Sequence, residues 1–161
     1  MAEKIPGGSL DWNGAEFFLL ATKETVVGMK KASIFTQGVA KKMIGRAGSG
    51  RKYKRTTSGK FHTASSPGSP PARDSGILAN SVTHDVKITG LTVRGRVGPD
   101  INRIMGKRPR GGKPITDPDY GVYLEKGTKN MAARPWLIPS VIKATPMIVR
   151  ILRKAVGGSG L

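Results

Sequence analysis

This chain has no cysteine and only two histidines, His62 and His84, among its 161 residues. The first absence excludes disulfides and thiolate metal sites, and it fits a reducing compartment. The second leaves little for proton-transfer chemistry to be built from. His84 and Asp85 are neighbours, but on a strand their side chains point to opposite faces, so they make no catalytic pair. Acidic residues are scarce as well: 10 Asp and Glu stand against 28 Lys and Arg, a formal net charge of +18, and none falls between Glu24 and Asp74. No hydrophobic run approaches membrane-spanning length, and the first residues lack the apolar core of a signal peptide. The expectation is a soluble protein without a membrane partner, cytoplasmic at synthesis.

Two local patterns resemble chemistry and fall short of it. Residues 45–52, GRAGSGRK, superficially look like a phosphate-binding loop, yet Arg51 and Lys52 stand where Lys and then Ser or Thr are needed. The stretch also follows a helical pattern rather than a strand. Asp117, Asp119 and Glu125 are the acids closest in sequence, and such a group can hold a hard cation. The place of Asp117 and Asp119 immediately before a helix fits capping and charge balance better. The chain is therefore read as a non-enzyme, with no catalytic residue, metal or cofactor.

What is present reads as one α+β domain over residues 11–156, with an N-terminal arm over 1–10 and a flexible stub over 157–161. Leu20, Val27 and Ile34 recur every seven residues, and Phe35, Val39 and Met43 every four, which predicts one long amphipathic helix over residues 11–44 capped by Asp11. Unbroken, it would span about 50 Å, more than the width of a small domain, so one end should project onto another subunit. Gly28 and Gly38 in its interior imply a bend or a close helix contact. Asp74 or Ser75 can cap a short turn carrying Ile77 and Leu78. Val82, His84, Val86 and Ile88, then Leu91, Val93, Gly95 and Val97, alternate as two strands joined at Thr89-Gly90. The apolar face of that hairpin must be covered, most simply by the first and last helices. Its other face carries Arg94 and Arg96, open to solvent, DNA or a neighbour. At the end, Val141, Ile148, Ile151, Leu152 and Ala155 form a helical stripe, with Pro146 suggesting that the main helix starts at Thr145.

Residues 46–71 and 98–117 read as long basic loops that have too little apolar content for a core of their own. Arg51, Lys52, Lys54 and Arg55 in the first, and Lys107, Arg108 and Arg110 in the second, are the candidates for contact with DNA phosphates or an acidic neighbour. Tyr53 and Phe61 add two aromatics able to stack on bases.

Residues 120–139 form the hub around which the chain is organised. Tyr120, Tyr123 and Leu124 share one face of a short helix that Asp119 can cap and Gly127 can end. Arg134 before Pro135 is biased to extended backbone, which delivers Trp136, Leu137 and Ile138 as a buried run. Glu125, near the helix C-terminus where the dipole disfavours it, calls for a specific donor, either Arg134 or the amides of the Gly127-Thr128 turn.

Taken in order, several elements carry a resemblance. They are a long first helix, a basic loop, and Pro67-Gly68-Ser69-Pro70-Pro71 followed by Asp74-Ser75-Gly76-Ile77-Leu78. A hairpin, Tyr120-x-x-Tyr123-Leu124-Glu125-x-Gly127-Thr128, Arg134-Pro135-Trp136-Leu137 and a C-terminal helix complete the series. Over residues 11–156 this resembles the head–tail joining, or tail-completion, proteins of long-tailed bacteriophages. The chain departs in Trp136, where that family usually has Phe, and in Pro146. The resemblance implies an α+β fold with long N-terminal and C-terminal helices on a small antiparallel sheet, and long basic loops. It implies a structural virion protein at the neck, in the host cytoplasm during assembly. A ring of six copies, or twelve, would join a connector or head-completion protein to a tail terminator or tail tube protein and pass DNA through its lumen. In that family setting Tyr120, Tyr123, Glu125, Gly127, Thr128, Arg134, Pro135 and Trp136 are the fold-hub and interface candidates. The alternative is a free-standing basic nucleic-acid-binding protein.

Overall fold

A computed structural model describes residues 14–54, 59–74, 76–90, 92–100, 104–108 and 112–157, with 14–21, 104–108 and 112–120 described by backbone alone. The order is α1 (Gly14–Ile44), β1 (Lys52–Lys54), β2 (Phe61–Thr63), α2 (Ile77–Ser81), β3 (Val82–Thr89), β4 (Thr92–Pro99), β5 (Ile104–Arg108), β6 (Gly112–Thr116), α3 (Asp117–Lys126) and α4 (Leu137–Gly157). The expected α+β architecture is present: long first and last helices with small antiparallel sheets. Asp11 and the arm lie outside the described residues.

The strands pair only with their sequence neighbours, as three two-stranded ribbons among the described residues. In the central hairpin Thr89 pairs with Thr92, Lys87 with Arg94 and His84 with Val97. Thr89 thus belongs to the ladder, and the turn comes one position later than Thr89-Gly90 suggested. Each residue's cross-strand partner moves by two positions, and because the side-chain period is two, the apolar face is unchanged. That face meets α1: Gln37 donates to the Val82 carbonyl at 2.7 Å and bonds His84 Nδ1 through Oε1 at 2.7 Å. Gly95 lies against Ser33 and Met29 of the same helix.

The fourth helix does not share in covering the hairpin as expected; it packs along a neighbouring face of α1. The two run antiparallel, with Gly28 beside Ala155 at one end and Met43 beside Ser140 at the other. A Cβ at Gly28 would sit 2.5 Å from that of Ala155. The glycine therefore allows the axes to approach, as the sequence suggested. Gly38 has no such neighbour within 4 Å.

Burial concentrates where α1, α2, α3 and the hairpin base converge. Ala40, Ile44, Leu78, Ala79, Val82, Leu124 and Trp136 form the core, with Val97, Met131 and Leu137 packed against it. Trp136 is 1% exposed and its Nε1 donates to the Gly121 carbonyl at 3.3 Å.

Three local expectations are corrected. The short helix α2 is entered through Gly76, with no side-chain cap, and Asp74 turns elsewhere. Thr145 does not start a new helix: α4 is continuous through Pro146, and the Thr145 hydroxyl donates to the Val141 carbonyl at 2.9 Å. Pro146 and Ile142 are both exposed, so the Ile142 carbonyl that loses its helical N–H need not be buried without a partner. Finally, the two basic stretches are more than loops: β1 and β2 pair within 46–71, and β5 and β6 within 98–117.

Candidate nucleic-acid interface and the hub behind it

The hub is built on Glu125. Its carboxylate accepts from the backbone N–H groups of Trp136 and Leu137 at 2.7 and 2.8 Å through Oε2, and from Ile138 at 3.0 Å through Oε1. These are the orphan donors of the α4 N-terminus, and Pro139, next in line, has none to offer. A carboxylate there also meets the positive end of the helix dipole. The specific donor expected for Glu125 is real, but it is neither Arg134 nor the Gly127-Thr128 turn.

Those two do other work. Gly127, at φ 78°, ends α3 in the left-handed region, and its N–H donates to the Tyr123 carbonyl at 2.8 Å. Thr128 and Met131 exchange backbone hydrogen bonds and fold the chain back. The Arg134 N–H donates to the Leu124 carbonyl at 2.7 Å, and its Nε reaches the Ser65 carbonyl at 3.3 Å. Gly68 donates to the Ala133 carbonyl at 2.9 Å, so the 64–68 segment is moored to the hub through both Ala133 and Arg134. Pro135 leads directly into the buried Trp136, but Ile138, expected in the same buried run, is 62% exposed because it has turned onto the outer face of α4. On α3, Gly121 and Leu124 are the buried face; Tyr123, expected among the inward residues, is 51% exposed. Tyr120 belongs to α3, and its side chain lies outside the described residues.

Moored in this way, the first basic stretch presents a two-faced ribbon. Lys52 pairs with Thr63, Tyr53 with His62 and Lys54 with Phe61. Alternation puts Tyr53 and His62 on one face, their rings edge-on at 5.3 Å, with the Tyr53 hydroxyl 3.4 Å and His62 Nδ1 3.7 Å from Asp74. The other face holds Lys52, Lys54 and Phe61; Lys52 Nζ is 5.5 Å from the Phe61 ring centre, and that ring is 65% exposed. A flat apolar ring between ammonium groups suits a base stacked beside its phosphates. Of the two aromatics, Phe61 is thus the one placed among lysines to stack, while Tyr53, itself 41% exposed, is engaged with His62 and Asp74. Arg51 is exposed at the ribbon's entry, and its carbonyl accepts from Ala64. The glycine-rich run before it packs on β2's continuation through the Gly50 N–H to the Ala64 carbonyl at 2.7 Å.

A second cationic cluster emerges only from register. Lys87 stands opposite Arg94, and Arg96 opposite Asp85, on the solvent face of the hairpin. Lys87, Arg94, Arg96, Thr89 and Thr92 line a hollow of about 170 Å³. Like charges directly across a ladder are destabilising, and an anion between them would offset that. Lys87, Arg94 and Arg96 were all legible from the alternation as residues of the polar face; that Lys87 opposes Arg94 was not, because the pairing follows from where the turn falls.

Lys107 and Arg108 lie on β5, where the backbone alone is described, and Arg55 and Arg110 fall outside the described residues. No group of three or more metal-ligating side chains occurs among the described residues, and no described helix is long and apolar enough to cross a membrane. Comparison of the chain with protein-family models, curated proteins and solved structures gives no match.

Proposed function

We propose that this protein is a structural subunit of the head–tail junction of a long-tailed bacteriophage. Copies would form a ring between the capsid connector and the tail tube, through which DNA passes. The observation that carries assembly is the outer face of α4: Ile138, Ile142, Val149 and Val156 recur at helical spacing and are all exposed, Ile142 to 68%. A continuous apolar stripe on a chain of charge +18 marks a surface meant to be covered. The neck assignment rests on the ordered motifs. Two of them, Tyr-x-x-Tyr-Leu-Glu-x-Gly-Thr and Arg-Pro-Trp-Leu, form one physical unit through Glu125. The cationic faces around Phe61 and Lys87 support nonspecific attraction to a polyanion that must still slide.

Six copies is the number the resemblance implies, and twelve the alternative. A connector or head-completion protein on one side and a tail terminator or tail tube protein on the other are the neighbours this reading requires. Electron microscopy of the purified chain and of assembled particles is the test. Rings in the first, and density at the neck that labels with a tagged copy in the second, are expected. Nanomolar DNA binding by an isolated monomer at physiological salt, with no particle association, would instead favour a free-standing nucleic-acid-binding protein.

A further inference from the structure

We infer that a groove along α1 receives the first turns of α1 from a second copy, making a head-to-tail contact between subunits. This rests on the ring reading above and names one contact, separate from the outer face of α4, that would build it. The groove, about 470 Å³, runs along the flank of α1 opposite the hairpin; Ile34, Phe35, Gly38, Val39 and Met43 are its apolar lining. Ile34 is 48% and Phe35 38% exposed, so large apolar area is left open there. Gly38 is the second observation. A glycine in a helix interior is unfavourable, and among the described residues nothing beyond the helix's own backbone comes within 4 Å of where its side chain would be. Gly28 is explained by α4; Gly38 leaves room for something that enters from outside.

Charge selects the occupant. Lys42, Arg46 and Lys143 rim the groove with no acid among the lining residues, so the same face of another copy would be repelled. The fitting partner is apolar and acidic. In this strongly basic chain, residues 14–24 combine Phe17, Phe18, Leu19 and Leu20 with Glu16 and Glu24 against the single Lys23. Asp11 and Trp12 precede them in sequence. The acid-containing alternative, α3, has its Leu124 in the core and its Glu125 bound to the start of α4.

Geometry makes the contact intermolecular. Segment and groove lie on one continuous helix, with Leu20 and Gly38 about 27 Å apart along its axis. The segment cannot fold back onto its own groove without breaking α1. It also projects: Ala155 lies beside Gly28 and α4 ends at Gly157, so the first turns of α1 run on roughly 15 Å past that end. Donor and acceptor surfaces differ, so the contact is heterologous and propagates to a ring or an open chain rather than a two-fold dimer.

The test uses full-length chains and sedimentation velocity at low salt. Gly38→Leu fills the groove, and Glu16→Lys with Glu24→Lys reverses the segment. Each should weaken self-association at least tenfold while circular dichroism melting shows the fold retained. Mixed in equal amounts, the two variants should form 1:1 pairs that do not grow, because each pair uses the one intact segment and the one intact groove. Should either variant misfold, a charge exchange replaces it: Arg46→Glu with Lys143→Glu should block assembly, and adding both segment reversals to that chain should restore it. A folded variant that assembles like the wild type, a mixture that stays monomeric, or an exchange that fails to restore assembly overturns the contact. Rings from a groove-filled variant would do so while leaving the neck reading standing. A wild-type chain that is monomeric in solution and absent from particles removes both.

Discussion

Glu125 sits in the last turn of α3, where the dipole opposes a carboxylate, yet the same group closes the first turn of α4, where the dipole favours it. One side chain thereby joins two helices that are separate in sequence. Removing it leaves three N–H groups at a partly buried helix start without their acceptor, so Glu125→Ala should cost about 2–3 kcal/mol in urea unfolding. Glu125→Gln should cost less, since a neutral oxygen still accepts. Trp136 fills the core and donates to Gly121; Trp136→Ala should lose about 3–5 kcal/mol. Trp136→Phe, the residue usual in the resembled family, should lose only about 1 kcal/mol, chiefly the indole hydrogen bond. That Glu125 needs a donor was legible from its position, but the donor's identity was not, because the amides that satisfy it begin eleven residues later.

Among elements, α4 shows how tertiary packing overrides local preference. Its inner face meets α1 along most of its length, and this offsets a proline that would otherwise divide it. Pro146→Ala should restore the N–H to the Ile142 carbonyl without touching the α1 contact. An increase in stability of about 1–3 kcal/mol in thermal or urea unfolding is expected. The opposite change belongs at Gly28, where Leu would be forced into Ala155 and should separate the two helices, lowering the melting temperature sharply. The helix over α1 was legible from its apolar periodicity. The ribbons inside the basic stretches were not, because strands of three to five residues are too short for an apolar alternation to show.

At the scale of the molecule, the decisive feature is an excess of positive charge displayed on exposed ribbons around a small core. Binding to duplex or single-stranded DNA should therefore be independent of sequence and fall steeply with salt. Lys52→Ala and Lys54→Ala, which leave the backbone ladder intact, should each reduce the slope of log K against log salt by about 1. Phe61→Ala should weaken single-stranded binding with little change in that slope, since stacking releases no counterions. Slopes unmoved by the lysine changes would place the DNA contact elsewhere, with the Lys87–Arg94 hollow the next face to test.

The amino-acid sequence alone determined the α+β class, the long first helix, the two faces of the hairpin, the glycine end of α3 and the basic character of the surface. All of these follow from periodicity, caps and composition, which act over a few neighbouring residues. Tertiary structure alone decided that Glu125 reaches Trp136, Leu137 and Ile138, that Phe61 faces lysines while Tyr53 faces Asp74, and that Lys87 opposes Arg94. It also decided that Gly28 is filled by a neighbouring helix and Gly38 is not. Such pairings depend on where distant backbone comes to rest, and burial and hydrogen-bond satisfaction across the whole chain set that position.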